Sequence, residues 1–189
     1  MFSNSYLMTA CQAFTGMLLL ASAVAKMGDP IKFEAAVRGF QLVSLRVALL
    51  LSLAIPVTEC LLGLVLLLAA AMQQPLLATA ALFAMALFIV FGAAIAINLL
   101  RGRRKISCGC FAGDDESEIS WWLVARNTVL VLFSMLAAGW FRVASPQALS
   151  GLRRLDAMLL GVSALVAWQL FAHIHRLRTY NVVFTELNR

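Results

Sequence analysis

Charge is what this chain has least of: 13% of its 189 residues are Asp, Glu, Lys or Arg, against 62% hydrophobic residues and a mean hydropathy of +0.91. That scarcity excludes an ordinary soluble domain, in which about a quarter of residues are charged. The chain reads instead as all-α, a polytopic integral membrane helical bundle. Its length divides into about five transmembrane helices, each using about 20 apolar residues to cross about 30 Å of hydrocarbon. The net charge of +6 does not point to nucleic acid, because the Lys and Arg stand in short clusters beside apolar runs rather than on one hydrated surface. Histidine is nearly absent. His173 and His175, two apart on an expected helix, point to different faces and cannot complete a zinc set with two thiols, so no metal is expected. No glycine-rich phosphate loop, His-Glu-x-x-His helix or serine nucleophile elbow occurs, and no cofactor is expected.

What is present is a single membrane domain over 1–189, with spans expected at 7–24, 47–71, 76–100, 121–140 and 155–174. The first span ends in ASAVAK, which looks like a signal cleavage site, but no Lys or Arg precedes Lys26 to make a basic n-region, so a retained span is expected. Between 26 and 46, Phe33, Val37 and Phe40 form an apolar stripe with Lys26, Lys32, Arg38 and Arg46 around it. That pattern suits an interfacial helix in the headgroup plane, the alternative being a solvated loop. The second span carries Pro56 and Glu59. A carboxyl at mid-depth costs about 3 kcal/mol unless it is neutral or faces a partner. Glu59 is therefore either satisfied by the backbone freed at Pro56 or by a neighbouring helix, or it serves a redox or proton role beside Cys60.

Residues 73–75 read as an uncharged turn, and Trp121 with Trp122 as an interfacial anchor, with Arg126 a turn or so beyond. With the N-terminus outside, eleven loop and tail cations fall on the inner side and three on the outer. This predicts a periplasmic N-terminus and a cytoplasmic face for the loop at 101–120 in a bacterial inner membrane.

That loop holds Cys108, Gly109 and Cys110. Two cysteines one residue apart can be a dithiol, a disulfide or two soft metal ligands. Three extended residues set their end Cα atoms about 7 Å apart, too far for a relaxed disulfide, and Gly109 supplies the bend that closure requires. So small a ring is strained, and strained disulfides are the readily exchanged kind. The cations from Arg101 through Arg103 to Lys105 favour a thiolate, while the carboxylates at 114–118 oppose it.

The string INLLRGRRKISCGCF, from Ile97 through Asn98 to Phe111, followed by Ala-Arg126-Asn127, resembles the methylamine-utilisation protein MauE family of DoxX-like polytopic membrane proteins. Lys26, Phe33, Val37 and the Pro-x-x-Glu at Pro56 and Glu59 add to the likeness, which covers about the first four spans. The chain departs from the family at 40–46, reading FQLVSLR where a Tyr-x-Leu-Pro-like sequence is usual, so a partner surface there is not carried over. The resemblance implies an accessory maturation protein more than a metabolic enzyme. Its implied client is the disulfide-rich small subunit of periplasmic methylamine dehydrogenase, matured together with a thioredoxin-like, MauD-type partner. Cys108 and Cys110 would be the exchanging pair, Gly109 their hinge, and Asn98, Arg101, Arg103, Phe111, Arg126 and Asn127 their support.

A cytoplasmic loop and a periplasmic client pull apart. Either electrons cross through the protein, using Cys60 as a relay, or the loop folds back between helices, or the orientation is inverted; the second reading is preferred. The rival functions are a non-catalytic membrane scaffold or chaperone and, from Pro56 and Glu59, a small-solute transporter.

Overall fold

The computed structural model describes residues 4–72, 79–104, 119–139 and 149–187, with side chains to residue 171. All secondary structure among the described residues is helical: α1 (Asn4–Gly28), α2 (Pro30–Gly39), α3 (Leu45–Met72), α4 (Ala80–Leu100), α5 (Trp121–Ala137) and α6 (Gly151–Leu187). Four of these, α1, α3, α4 and α6, are long and apolar enough to cross a membrane, and α5 is a shorter apolar helix of 17 residues. The chain is thus a multi-pass membrane protein.

α1 is the axis. It packs against α3, α5 and α6, and two-thirds of its most apolar stretch is buried. The approach to α3 depends on the absence of side chains, since a Cβ at Gly63 would lie 2.8 Å from the Gly16 carbonyl oxygen. α6 comes as close on another face, where a Cβ on Gly161 would stand 2.4 Å from the Ala10 oxygen. Without a hydrophobic drive between helices in lipid, such small-residue contacts let backbones gain dispersion energy at short range. Phe14 fills the remaining space, with Phe133 of α5 at 4.8 Å and Trp168 of α6 edge-on at 6.3 Å between ring centroids.

The basic segment at 26–46 is not one helix. α1 runs through Lys26 to Gly28, and Asp29 then caps a new helix, its Oδ1 accepting the Lys32 N–H at 3.1 Å, with Pro30 in the first turn where a missing N–H costs nothing. α2 turns Phe33 and Ala36 inward. It ends at Phe40 and Gln41, the latter at φ +48°, before α3 begins. Lys26 therefore belongs to the core of α1 and not to the cationic face of an interfacial helix.

Glycines in left-handed conformation stop two helices. Gly102 (φ +73°) ends α4, with Gly102 N–H on the Leu99 oxygen at 3.0 Å and Arg103 N–H on the Asn98 oxygen at 3.0 Å, a Schellman arrangement. Gly139 (φ +73°) ends α5 at Ala137, short of the expected limit at 140, because a hydrophobic run does not prolong a helix past a left-handed residue. The helix over the fifth expected span is longer than anticipated, 37 residues.

Candidate functional site

Two oppositely charged side chains among the described residues are almost wholly buried, and they face each other. Lys26, in the last turn of α1, is 3% exposed, and Glu59, midway along α3, is 1% exposed. Helical side chains lean toward the N-terminus of their own helix. Gly16 lies against Gly63 and Lys26 against Glu59, so α1 and α3 run antiparallel. Lys26 therefore reaches back into the bundle while Glu59 leans toward the α1 C-terminal end, and Nζ meets Oε1 in an ion pair.

Ser22, one turn before Lys26, ties the two together. Its hydroxyl accepts from Lys26 Nζ at 3.0 Å and donates to Glu59 Oε1 at 3.3 Å. The Phe33 ring from α2 and the Phe91 ring from α4 lie 5.2 and 4.9 Å from the ammonium, close enough for cation–π attraction. Four helices thus converge on one cation. Glu59 takes its partners from α1 and not from the backbone that Pro56 frees. A buried pair held this way remains destabilising to break, about 3–5 kcal/mol when one partner is removed, because the other is left as an uncompensated charge.

Beside the pair lies a cleft of about 30 Å³ whose polar lining is Ser22, Lys26, Glu59, Arg126 and Asn127, with Leu18, Phe88, Phe91, Leu130 and Trp168 among its apolar walls. That is room for a water or two and not for an organic solute. Asn127 reaches it because Gly92 of α4 has no side chain: a Cβ there would come 3.3 Å from Asn127 Cβ. Asn127 Nδ2 donates to the Leu123 oxygen at 2.8 Å.

The residues expected to matter divide into three groups. Glu59, Arg126 and Asn127, from α3 and α5, meet at the cleft. Asn98, Arg101 and Arg103 gather at the end of α4, where Asn98 is fully buried, its Nδ2 on the Ala94 oxygen at 3.1 Å and its carbonyl on the Arg103 N–H, while Arg101 is exposed. Cys60 is half-buried and Cys11 buried, both as free thiols. Cys108, Gly109, Cys110 and Phe111 lie outside the described residues, as does the turn at 73–75. Among the described residues no cluster of His, Cys, Asp and Glu could hold a metal ion.

The stem of the cysteine loop is described, and it is closed. Ile119, 1% exposed, donates its N–H to the Arg104 oxygen at 3.0 Å, so the chain leaves at 104 and returns at 119 across one hydrogen bond. Ile119 packs with Ile95 and Leu99 of α4, and Phe40 at the end of α2 covers the cluster. The stem, α2 and the Lys26 end of α1 therefore share one end of the bundle.

In the sequence Lys26 reads as a topology-setting cation, a member of the basic segment and part of the family likeness, and neither its pairing with Glu59 nor Ser22 and Phe91 as its surroundings is expected. The available signal was a lone cation ending one apolar span and a lone carboxylate inside the next, each too costly to bury alone.

The family described as "Methylamine utilisation protein MauE" matches residues 4–142. The chain is 33% identical over 159 residues to "Methylamine utilization protein MauE" of Paracoccus denitrificans, covering 84% of this chain and 82% of that one. It is 38% identical over 138 residues to the protein of the same description from Paracoccus versutus, covering 72% and 71% of the two chains. A third from Methylorubrum extorquens is 34% identical over 141 residues, 74% of this chain and 72% of the relative. No solved structure matches.

Proposed function

The chain belongs to the methylamine utilisation protein MauE family, which ties it to methylamine utilisation, and from that premise we propose that it is a thiol-disulfide maturation factor of the bacterial inner membrane. In this reading Cys108 and Cys110 exchange with a periplasmic thioredoxin-like, MauD-type protein in support of disulfide formation in the methylamine dehydrogenase small subunit. The exchange is balanced within itself. A thiolate of one partner attacks a disulfide sulfur of the other, the displaced thiolate takes up a proton, and a second thiol resolves the mixed disulfide, so one dithiol is oxidised as one disulfide is reduced.

The observation that carries the reading is the closed stem. The segment that contains Cys108, Gly109 and Cys110 leaves at Arg104 and returns at Ile119, whose backbones are bonded at 3.0 Å beside a buried apolar cluster shared by α4 and α5. Fixing both ends of a loop limits the orientations its thiols sample and favours productive encounter with a partner. The N-terminus is outside in this proposal, and the loop sits between helices where redox partners reach it. A solute-transport role is disfavoured by the size of the cleft and by the engagement of Glu59 with Lys26.

Cys108→Ser and Cys110→Ser should each abolish maturation of the client small subunit while the variant still inserts to wild-type level. Full maturation with both cysteines replaced would leave the scaffold reading in its place.

A further inference from the structure

Glu59 uses one carboxylate oxygen on Lys26 and Ser22; the other, Oε2, is buried and has no hydrogen-bond partner among the described residues. An ionised oxygen left so inside a membrane bundle costs several kcal/mol, which native structures avoid by supplying a donor. The cleft that Glu59 lines also presents the Arg126 guanidinium, a donor-only group, and Asn127, whose Nδ2 is committed to the Leu123 oxygen and whose Oδ1 is an acceptor. Its volume of about 30 Å³ suits one or two waters, and the polar lining meets the two to four partners that a buried water needs.

We propose that this cleft is a water-binding site in which an ordered water donates to Glu59 Oε2 and accepts from Arg126, joining Lys26, Glu59 and Arg126 into one hydrogen-bonded unit across α1, α3 and α5. Lys26 then holds the carboxylate directly and Arg126 holds it through the water, so two cations share one carboxylate. Arg126 stands in the second turn of α5, seven residues beyond Ile119, so the unit anchors the far stem of the cysteine loop to the α1–α3 pair. Arg126 is in this sense a positioning residue, and only that consequence rests on the thiol-exchange reading.

The test is infrared difference spectroscopy of the full chain in nanodiscs, comparing D₂O with D₂¹⁸O. An ¹⁸O-sensitive O–D stretch of an internal water is expected in the wild type, lost in Glu59→Gln and Arg126→Met and retained in Arg126→Lys. No such band in the wild type, or a band that survives both disruptive variants, would overturn the site. Should Arg126→Met fail to insert, water-edited solid-state NMR of the wild type decides: polarisation passing from water to Glu59 Cδ supports the site, and none overturns it. Neither measurement reads thiol chemistry, so failure here and failure of the maturation role are distinguishable.

Discussion

Lys26 and Glu59, 33 positions apart in the chain, form a buried ion pair that joins the end of the first membrane helix to the middle of the next. Ser22 hydrogen-bonds both, and the Phe33 and Phe91 rings lie beside the Lys26 ammonium. The pair is the charged centre of the described bundle, and it lies at the end where the cysteine loop is tethered.

Removing one partner should cost more than removing both. Lys26→Met or Glu59→Leu alone leaves a buried unpaired charge and is expected to lower stability by about 3–5 kcal/mol, whereas Lys26→Met with Glu59→Leu should recover most of the loss. Denaturant titration in mild detergent measures this. A double variant less stable than either single one would show that the pair is not the unit described.

Gly161→Ala is expected to destabilise the α1–α6 contact by about 1–3 kcal/mol, the range for overpacking, since its Cβ would sit 2.4 Å from the Ala10 backbone oxygen. Gly28→Ala, with nothing within 4 Å of the added carbon, serves as the control and should be neutral within about 0.5 kcal/mol. Thermal unfolding of the two variants side by side checks the packing directly.

The two ends of the bundle should label from opposite sides of the membrane. In a background of Cys108→Ser and Cys110→Ser, the exposed positions Arg104→Cys and Ser150→Cys are expected to react with an impermeant maleimide from the cytoplasmic and periplasmic sides respectively. The exposed cations Lys32, Arg38, Arg101 and Arg104 all lie toward the former end, and taking the buried Lys26 out of the inner count leaves that bias intact. Labelling of both positions from one side would contradict the helix order, and exchange of the two sides would invert the orientation.

Ile119→Asp places a charge in the cluster of Ile95, Leu99 and Phe40 and is expected to loosen the loop stem. Client maturation should fall to a small fraction of wild type while the helices remain inserted, read by the yield of disulfide-bonded small subunit against membrane-bound protein. A variant that matures its client normally would separate stem geometry from function.

Helices announce themselves in apolar run lengths, which is why α3 and α4 lie close to the expected limits; α5 stops earlier because the αL role of Gly139 is a backbone property that hydropathy does not register. Glu59 stands out in sequence because its charge is anomalous at mid-span, and Arg126 with Asn127 through the family motif. Lys26 was hidden by position: at the end of an apolar run it looks like any headgroup cation, and only the lean of its side chain back along α1 brings it to Glu59. The glycine pair Gly16 and Gly63 was equally illegible, since which faces of two apolar helices meet is decided by packing between them and not by either helix alone.

Trapping reads the proposed disulfide exchange between the cysteine pair and a thioredoxin-like partner at the bond itself. Cys110→Ser leaves Cys108 without its resolving thiol, so a mixed disulfide formed during client maturation should persist and be isolated with the membrane protein under non-reducing conditions. A covalent adduct containing a periplasmic thioredoxin-like protein is expected, released by reductant and absent when Cys108 is also replaced. Recovery of no adduct from cells producing the client and its thioredoxin-like partner, with the variant inserted and its remaining thiol reactive, would contradict the exchange.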